Sequence, residues 1–367
     1  MRRVIVFAVI LLSACLLPVD ASAEEAGGKS ATEGKWRFEF DNDVLTGGDD
    51  AFSAGFSIQR HSPLFDTWEQ KENGKKRKGF SLWIGKHIPG LGDDGEGGRI
   101  VRRAQGFGGV MQTPEDIENP DPQPDDVPWA GIAGWTGSWS SYDNRRLNAF
   151  QIFVGCMGPC AQMGEVQEFV HDDLGFSDEI PQGWDNQLEN EAIGNINYAF
   201  RRKLAAPSED RYAPGRGAAD LSFGGQAGVG NFFTFVEAQL EFRFGNGLPM
   251  GFTHIPDVAG RGIIMDPAYV PAGETVIVDK TRYYFSLVPR FTYFEEIATL
   301  EGGDTDNGGF HPGVEYDDSV TQVLFGFHIG RPKFSFHLTY YFFPDDIAEL
   351  AGDTSYDWVN LSFEWRR

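Results

Sequence analysis

The chain has 367 residues, with 31 Lys and Arg against 54 Asp and Glu, so its formal net charge is −23. Nucleic acid is excluded as a natural partner, because so acidic a chain would be repelled by the phosphate backbone. After the first twenty residues no apolar run reaches the roughly 18 residues that a membrane helix requires. The composition, rich in Phe, Gly and Trp, therefore excludes a helical membrane protein and favours one large barrel over two soluble domains.

The first 23 residues follow the plan of a secretory signal peptide. Two arginines come directly after the initiating methionine, an apolar segment follows, and small residues lead up to Ala23. We expect cleavage after Ala23, which leaves residues 24–367 as a single exported domain. The alternative is a lipoprotein with Cys15 as the lipidated residue; the apolar stretch continues past Cys15, which favours removal of the whole segment.

Period-two alternation predicts the strands. In the segment 234–244, five apolar residues share one face and four polar residues share the other: Val236, Ala238, Leu240, Phe242 and Phe244 against Glu237, Gln239, Glu241 and Arg243. Polar side chains of this size on one face suit a barrel with a polar interior and lipid outside, rather than a soluble sandwich.

Twelve such segments are predicted, and an even number suits closure of an antiparallel barrel. The predicted fold class is therefore all-β: a transmembrane antiparallel β-barrel of about twelve strands, with a short helix in an extracellular loop. The segments lie near 35–41, 51–60, 79–88, 129–141, 146–155, 192–203, 217–229, 232–244, 282–297, 320–331, 333–343 and 356–366.

Counting strands from a periplasmic N-terminus predicts that five polar residues meet at the outer rim of the barrel. Strand one ends at this rim, strand two begins there, and the connections at 89–128 and 156–191 also fall there. The five residues are Asn42, Asp43, Ser53, Gln167 and His171.

Residues 162–174 predict a short helix that ends at Gly175, a natural position for a left-handed cap. Gln167 and His171 are i, i+4 neighbours on its polar face. A lone histidine on a helix is more often structural than catalytic, but an imidazole held among polar groups suits a general base. A near-normal pKa, about 6.5, would suffice for that role at neutral pH.

Cys156 and Cys160 are the two cysteines left after removal of the signal peptide. In an oxidising compartment pairing is the default, and Gly158 and Pro159 permit the tight turn that so short a bridge needs. We expect a disulfide that staples the loop; two free or buried thiols are the alternative.

Several short motifs together resemble the outer-membrane lipid A 3′-O-deacylases of the LpxR type. The resemblance spans most of the mature chain and is most specific between residues 158 and 187. The motifs are Phe40-Asp-Asn-Asp43, Ser53-Ala-Gly55, Gln112-Thr-Pro114, Pro128-Trp-Ala-Gly131, Gly158-Pro159, Gly164-Glu-Val-Gln167 with His171, and Gly183-Trp-Asp-Asn-Gln187.

The resemblance implies a calcium-dependent ester hydrolase that removes the 3′-linked acyloxyacyl group of lipid A at the outer side of the barrel. It implies that His171 activates water and that Asp43 assists through a second water. Asn42 and Ser53 match positions that help to build the calcium and oxyanion environment, and Gln167 matches a polar residue of the active-site helix. The implied partners are lipopolysaccharide and the outer-membrane bilayer, and we expect a monomer.

The chain departs from this family in places. Ser53 stands where a threonine is frequent, so the hydroxyl is kept. Asp126-Val127-Pro128 stands where many relatives have Asp-Arg-Pro, so a cation that could meet a lipid A phosphate is missing there. The basic group Lys75-Lys-Arg-Lys78 does not replace it, because the strand count puts that turn on the periplasmic side.

Two other interpretations are weighed. One is a non-catalytic barrel, whether channel, adhesin or structural protein, that keeps the fold without activity. The other is an outer-membrane phospholipase with a serine nucleophile; here the strand count places no serine and histidine together, and Gly-x-Ser-x-Gly is absent.

Overall fold

The computed structural model describes residues 34–42, 54–70, 79–92, 98–170, 180–269, 281–331, 333–344 and 357–366. Within these ranges twelve antiparallel strands close into one barrel, and the first strand pairs with the last. The proposed signal peptide, residues 1–23, lies outside the described residues. No helix among the described residues is long and apolar enough to cross a membrane.

The barrel strands run in chain order, and a two-stranded ribbon, β10 and β11, lies within one connection. The strands are β1 Lys35–Asn42, β2 Ala54–His61, β3 Ile100–Gln112, β4 Ala130–Tyr142, β5 Arg146–Met157, β6 Glu191–Ala205, β7 Gly217–Gly230, β8 Phe233–Asn246, β9 Arg282–Ile297, β10 Gly303–Asp304, β11 Phe310–His311, β12 Ser319–Gly330, β13 Phe334–Phe342 and β14 Trp358–Arg366. The helices are α1 Phe80–His87 and α2 Met163–Glu168, with 3₁₀ turns at Pro159–Ala161, Trp184–Asn186 and Glu209–Tyr212.

The alternating pattern sorts side chains between the two faces of the wall, as the sequence predicts. On β8, Val236 is 55% exposed, whereas its neighbour Glu237 is buried in the lumen. Leu240, Phe242 and Phe244 repeat the outward placement. The outer surface is therefore an apolar band of the kind that lipid covers, and the inner surface is polar along this strand.

The prediction of a strand at 79–88 is wrong, because these residues form helix α1. The strand that takes its place is β3, which we predicted as part of the connection 89–128. Apolar residues in 80–87 do not alternate strictly, whereas the glycines of β3 interrupt the alternation of large side chains on which the prediction depends. One false strand and one missed strand cancel, so the predicted total of twelve is correct.

The two ends of the barrel are distinguished by the chain termini. Lys35 pairs with Arg366 at one end, here called the terminal end, and the opposite end is the far end. The described residues of three connections, 113–129, 158–170 with 180–190, and 298–318, lie at the far end, whereas 62–70, 79–92 and 98–99 lie at the terminal end. Residues 89–92 and 98–99 are thus at the end opposite to the prediction.

The terminal half of the lumen is filled by the connection between β8 and β9. Its residues 247–269 fold into the barrel and bind the inner wall through ion pairs. Arg261 Nη2 lies 2.6 Å from Glu237 Oε2, and Asp257 Oδ2 lies 2.6 Å from Arg290 Nη1. Asp266 of the same segment pairs with Lys35 at 2.9 Å. Buried charges are tolerated only when they are paired in this way.

Candidate functional site at the far end

Helix α2 lies against the outward face of the barrel wall rather than over the lumen. Its first residue, Met163, is buried against Ala54 of β2 and Met111 of β3. A Cβ added at Gly131 of β4 would lie only 2.8 Å from the Met163 side chain, so the missing side chain is what lets the helix approach. On β3 the alternate residue Val110 faces the lumen, which places Met111 outside.

The strand register shows that Asn42 lies on the same outward face of the wall. Asn42 pairs with Ala54, Ala54 pairs with Met111, and Met111 pairs with Gly131. These four residues form one row along the far end of β1 to β4. Neighbouring strands are about 4.8 Å apart, so Asn42 lies roughly one strand from the contact of Met163 with Ala54.

The turn that leads into α2 requires unusual backbone geometry. Gly158 has φ of 95°, and its N–H donates to the Gly131 carbonyl at 2.8 Å. Gln162, between the 3₁₀ turn and α2, has φ of 58°, and it alone among described non-glycine residues has a positive φ. A disulfide joins Cys156 on β5 to Cys160 in the 3₁₀ turn, with Cα atoms 6.2 Å apart. The helix is thereby tied directly to the wall.

Gln167 is buried on α2, with 2% of its surface exposed. Its Oε1 accepts a hydrogen bond from Trp184 Nε1 at 2.7 Å. Because an indole can only donate, this contact fixes which end of the amide faces Trp184. The amide Nε2 then points away, and no acceptor for it exists among the described residues. Gln167 therefore presents a buried hydrogen-bond donor on the outer wall.

Trp184 is held by a second tryptophan. Trp129, which precedes β4, meets it edge-on with ring centroids 5.1 Å apart. Gly183 lies directly on the Trp129 ring, where an added Cβ would be 2.5 Å from its atoms. The Leu188 N–H donates to the Trp129 carbonyl at 2.9 Å. The motifs Pro128–Gly131, Gly158–Gln167 and Gly183–Gln187, distant in sequence, are thus one packed unit.

Of the five polar residues predicted to meet, the structure describes two, Asn42 and Gln167, and both lie at the far end of the outer wall. His171, Asp43 and Ser53 lie outside the described residues. In the sequence, His171 follows Gln167 by four residues, Asp43 follows Asn42, and Ser53 precedes Ala54, the residue that pairs with Asn42.

No cluster of three or more His, Cys, Asp or Glu that could hold a metal appears in the part of the chain that the structure describes. The oxygen of Gln167 accepts the hydrogen bond from Trp184, and the Nε2 group on its other side cannot bind a cation. Asp41, the neighbour of Asn42, points into the lumen and accepts a hydrogen bond from Asn360 at 2.8 Å. Asn42 is the described residue whose type and position fit a calcium site.

The strand count predicted that no serine and histidine lie together, and this prediction is wrong. Ser286 Oγ lies 2.9 Å from His328 Nε2, and His328 Nδ1 lies 2.8 Å from His337 Nδ1. The strands pair Ser286 with Gly326, two residues from His328, and counting strands does not reveal such diagonal neighbours. All three side chains face the lumen near the terminal end, on the other side of the wall from α2.

The sequence analysis identified the motif Gly183–Gln187 but predicted no role for it. It also did not predict the contacts of Met163 or Trp129. The signal that could have found them is the pairing of small and large residues: glycine next to tryptophan at 183–184, and Trp129 two residues before Gly131. Each glycine leaves room for a large side chain of another segment.

Comparison with known proteins supports this description. A family model described as "Outer membrane protein LpxR" matches residues 6–366. The solved structure of LpxR from Salmonella typhimurium is similar, with a TM-score of 0.66 and 15% sequence identity, covering 91% of this chain and 100% of that chain.

The β domain of the Bordetella autotransporter BrkA aligns with a TM-score of 0.41 and 9% identity, covering 92% of this chain and 100% of that chain. No curated protein matches the sequence. Because the family model matches nearly its whole length, this chain, a closed twelve-stranded barrel, belongs to the LpxR family of outer-membrane proteins.

Proposed function

We propose that this protein is an outer-membrane ester hydrolase that removes the 3′-linked acyloxyacyl group of lipid A in a calcium-dependent reaction. The observation that carries the proposal is the buried amide of Gln167, whose Nε2 lacks an acceptor among the described residues, on the lipid-facing side of the wall. A lipid that diffuses in the membrane meets this face directly. The resemblance to lipid A 3′-O-deacylases supplies the reaction.

In the proposed mechanism, His171 takes a proton from water while the oxygen of that water attacks the ester carbonyl carbon. Asp43 assists through a second water. The tetrahedral intermediate then expels the sugar oxygen, which takes up the proton held by His171, so that ester and water give a carboxylic acid and an alcohol and the imidazole is neutral again. In this proposal the Nε2 group of Gln167 donates a hydrogen bond to an oxygen of the reacting group or to its water, and the bond from Trp184 to Oε1 favours this orientation of the amide.

Calcium would supply charge stabilisation for the carbonyl oxygen when bound. Asn42 and Ser53 carry the oxygen ligands that this cation prefers. Asn42 supports this assignment by its place at the far end of β1, in the same row of the wall as Ala54, against which α2 packs.

An open channel is disfavoured as the alternative. The segment 247–269 fills the terminal half of the lumen and is bound there by buried ion pairs, such as Arg261 with Glu237. The closed barrel also leaves no unpaired strand edge among its twelve strands, which supports a protein that works as a monomer.

The test is mass spectrometry of lipid A from cells that express the wild type, His171→Ala, Asp43→Ala or Ser286→Ala, with and without a calcium chelator. We expect lipid A to lose its acyloxyacyl group in cells that express the wild type or Ser286→Ala. It should keep that group in cells that express His171→Ala or Asp43→Ala, and in all cells treated with the chelator. His87→Ala, an exposed histidine on α1, is the matched control and should remain active.

The result that contradicts the proposal is an identical acylation pattern for the wild type and His171→Ala while both fold. If only Ser286→Ala lost activity, the hydrolysis would have to be assigned to the pair of Ser286 and His328 in the lumen. Folding is checked for every variant by heat-modifiable migration in gels.

A further inference from the structure

The far half of the lumen contains an apolar cavity of about 140 Å³. Aromatic side chains form much of its wall, among them Phe233, Phe294, Phe343 and Trp358. Valine, isoleucine and leucine side chains form most of the rest, and Gln112, Thr299 and Gln322 are polar members of the lining. This is unexpected in a barrel whose interior is otherwise polar.

The floor of the cavity is the tip of the segment that fills the terminal half. Asp257 and Arg261 lie there, and each is paired with a charge of the wall: Asp257 with Arg290 and Arg261 with Glu237. The guanidinium of Arg261 also lies against the Phe294 ring, 5.3 Å from its centre. Each charge at the floor is thus already paired, and an apolar ligand could bind above them without breaking these ion pairs.

The cavity and the candidate active site are on opposite faces of the same wall. Val110 and Ile132 line the cavity, whereas Met111 and Gly131, the adjacent residues, face α2 on the outside. A lipid acyl chain bound at α2 therefore does not reach the cavity. A ligand of the cavity must be a different molecule.

We propose that this cavity is a binding site for one small apolar molecule of the size of a single aromatic ring. Its volume is close to that of engineered apolar cavities of about 150 Å³ that bind benzene or xenon; those cavities are enclosed, whereas this one is partly open. Its aromatic walls offer the edge-to-face contacts that a ring prefers. A full acyl chain is too large for it, and most of its lining side chains are apolar.

The experiment uses fluorobenzene as the probe and the full barrel reconstituted in lipid nanodiscs, followed by ¹⁹F NMR. Empty nanodiscs report partitioning into lipid. Val320→Phe places a ring inside the cavity, and Val236→Phe, an outward-facing valine on β8, is the matched control. Leu300→Trp fills the cavity from a far-end connection instead of from a strand, in case Val320→Phe prevents folding.

We expect a saturable bound signal with the wild type and with Val236→Phe, and at least a tenfold weaker affinity with Val320→Phe and Leu300→Trp. The proposal is overturned if the wild type gives only the non-saturable signal of empty nanodiscs. It is also overturned if both cavity-filling variants fold and bind fluorobenzene as the wild type does.

Discussion

Trp184 and Gln167 are joined by a hydrogen bond of 2.7 Å from the indole nitrogen to the amide oxygen. The bond links a 3₁₀ turn to a helix 17 positions away in sequence, and it decides which group Gln167 shows to the outer wall. The orientation of one amide in the candidate site thus depends on a residue outside that helix.

Trp184→Phe tests this dependence. The phenyl ring keeps the contact with Trp129 but cannot donate, so Gln167 loses the bond that fixes its orientation. A net hydrogen bond contributes about 1 kcal/mol, so we expect deacylation to slow by about fivefold with the barrel intact. The rate is measured on lipid A by mass spectrometry, with Trp83→Phe on α1 as the control. An unchanged rate in Trp184→Phe would show that the orientation of Gln167 is not used.

Gly183→Ala tests the packing of the two tryptophans. Gly183 has φ of −92°, which alanine adopts without strain, so the effect is steric alone. The added Cβ would lie 2.5 Å from the Trp129 ring, and we expect a loss of stability of about 1–3 kcal/mol, the usual cost of overpacking. Gly217→Ala is the control, because nothing lies within 4 Å of its added Cβ. The midpoints of urea unfolding compare the two; equal midpoints would rule out the packing argument.

Replacement of both cysteines, Cys156→Ser with Cys160→Ser, tests the tie between α2 and the wall. The bridge closes a loop of only five residues, so the chain-entropy model predicts a contribution of about 2 kcal/mol or less. We expect a folded barrel with reduced deacylation, because α2 would no longer be held at β5. Reduction of the wild type with dithiothreitol should have the same effect on the rate and none on the double variant. A fully active double variant would contradict this role.

Asp220→Asn tests the buried ion pairs in the terminal half of the lumen. Its carboxylate binds Arg243 Nη2 at 2.6 Å and Lys203 Nζ at 2.8 Å, and all three side chains are fully buried. Removal of the anion leaves two buried cations together, which costs about 3–5 kcal/mol. Asp210→Asn is the matched control, because the pair of Asp210 with Arg216 is exposed and water screens it, so its removal should leave the stability nearly unchanged. Urea unfolding in bilayers measures both; similar losses would refute the argument from burial.

Much of the barrel could be predicted because alternation is a local property. The side chains of 234–244 point to lipid or lumen according to their own order, and β8 has that arrangement. The prediction failed where the local signal was weak. The glycines of β3 hide its alternation, and residues 80–87 are apolar enough to be taken for a strand although they form α1.

The sequence by itself determined the two faces of the strands, the all-β fold class and the family resemblance, since each of these depends on neighbours in the chain. Only the tertiary structure decided that α2 lies outside the wall, that Trp184 orients Gln167, that Ser286 meets His328, and that an apolar cavity lies behind the site. These features depend on strand register and on contacts between distant segments, and no local pattern of residues specifies either.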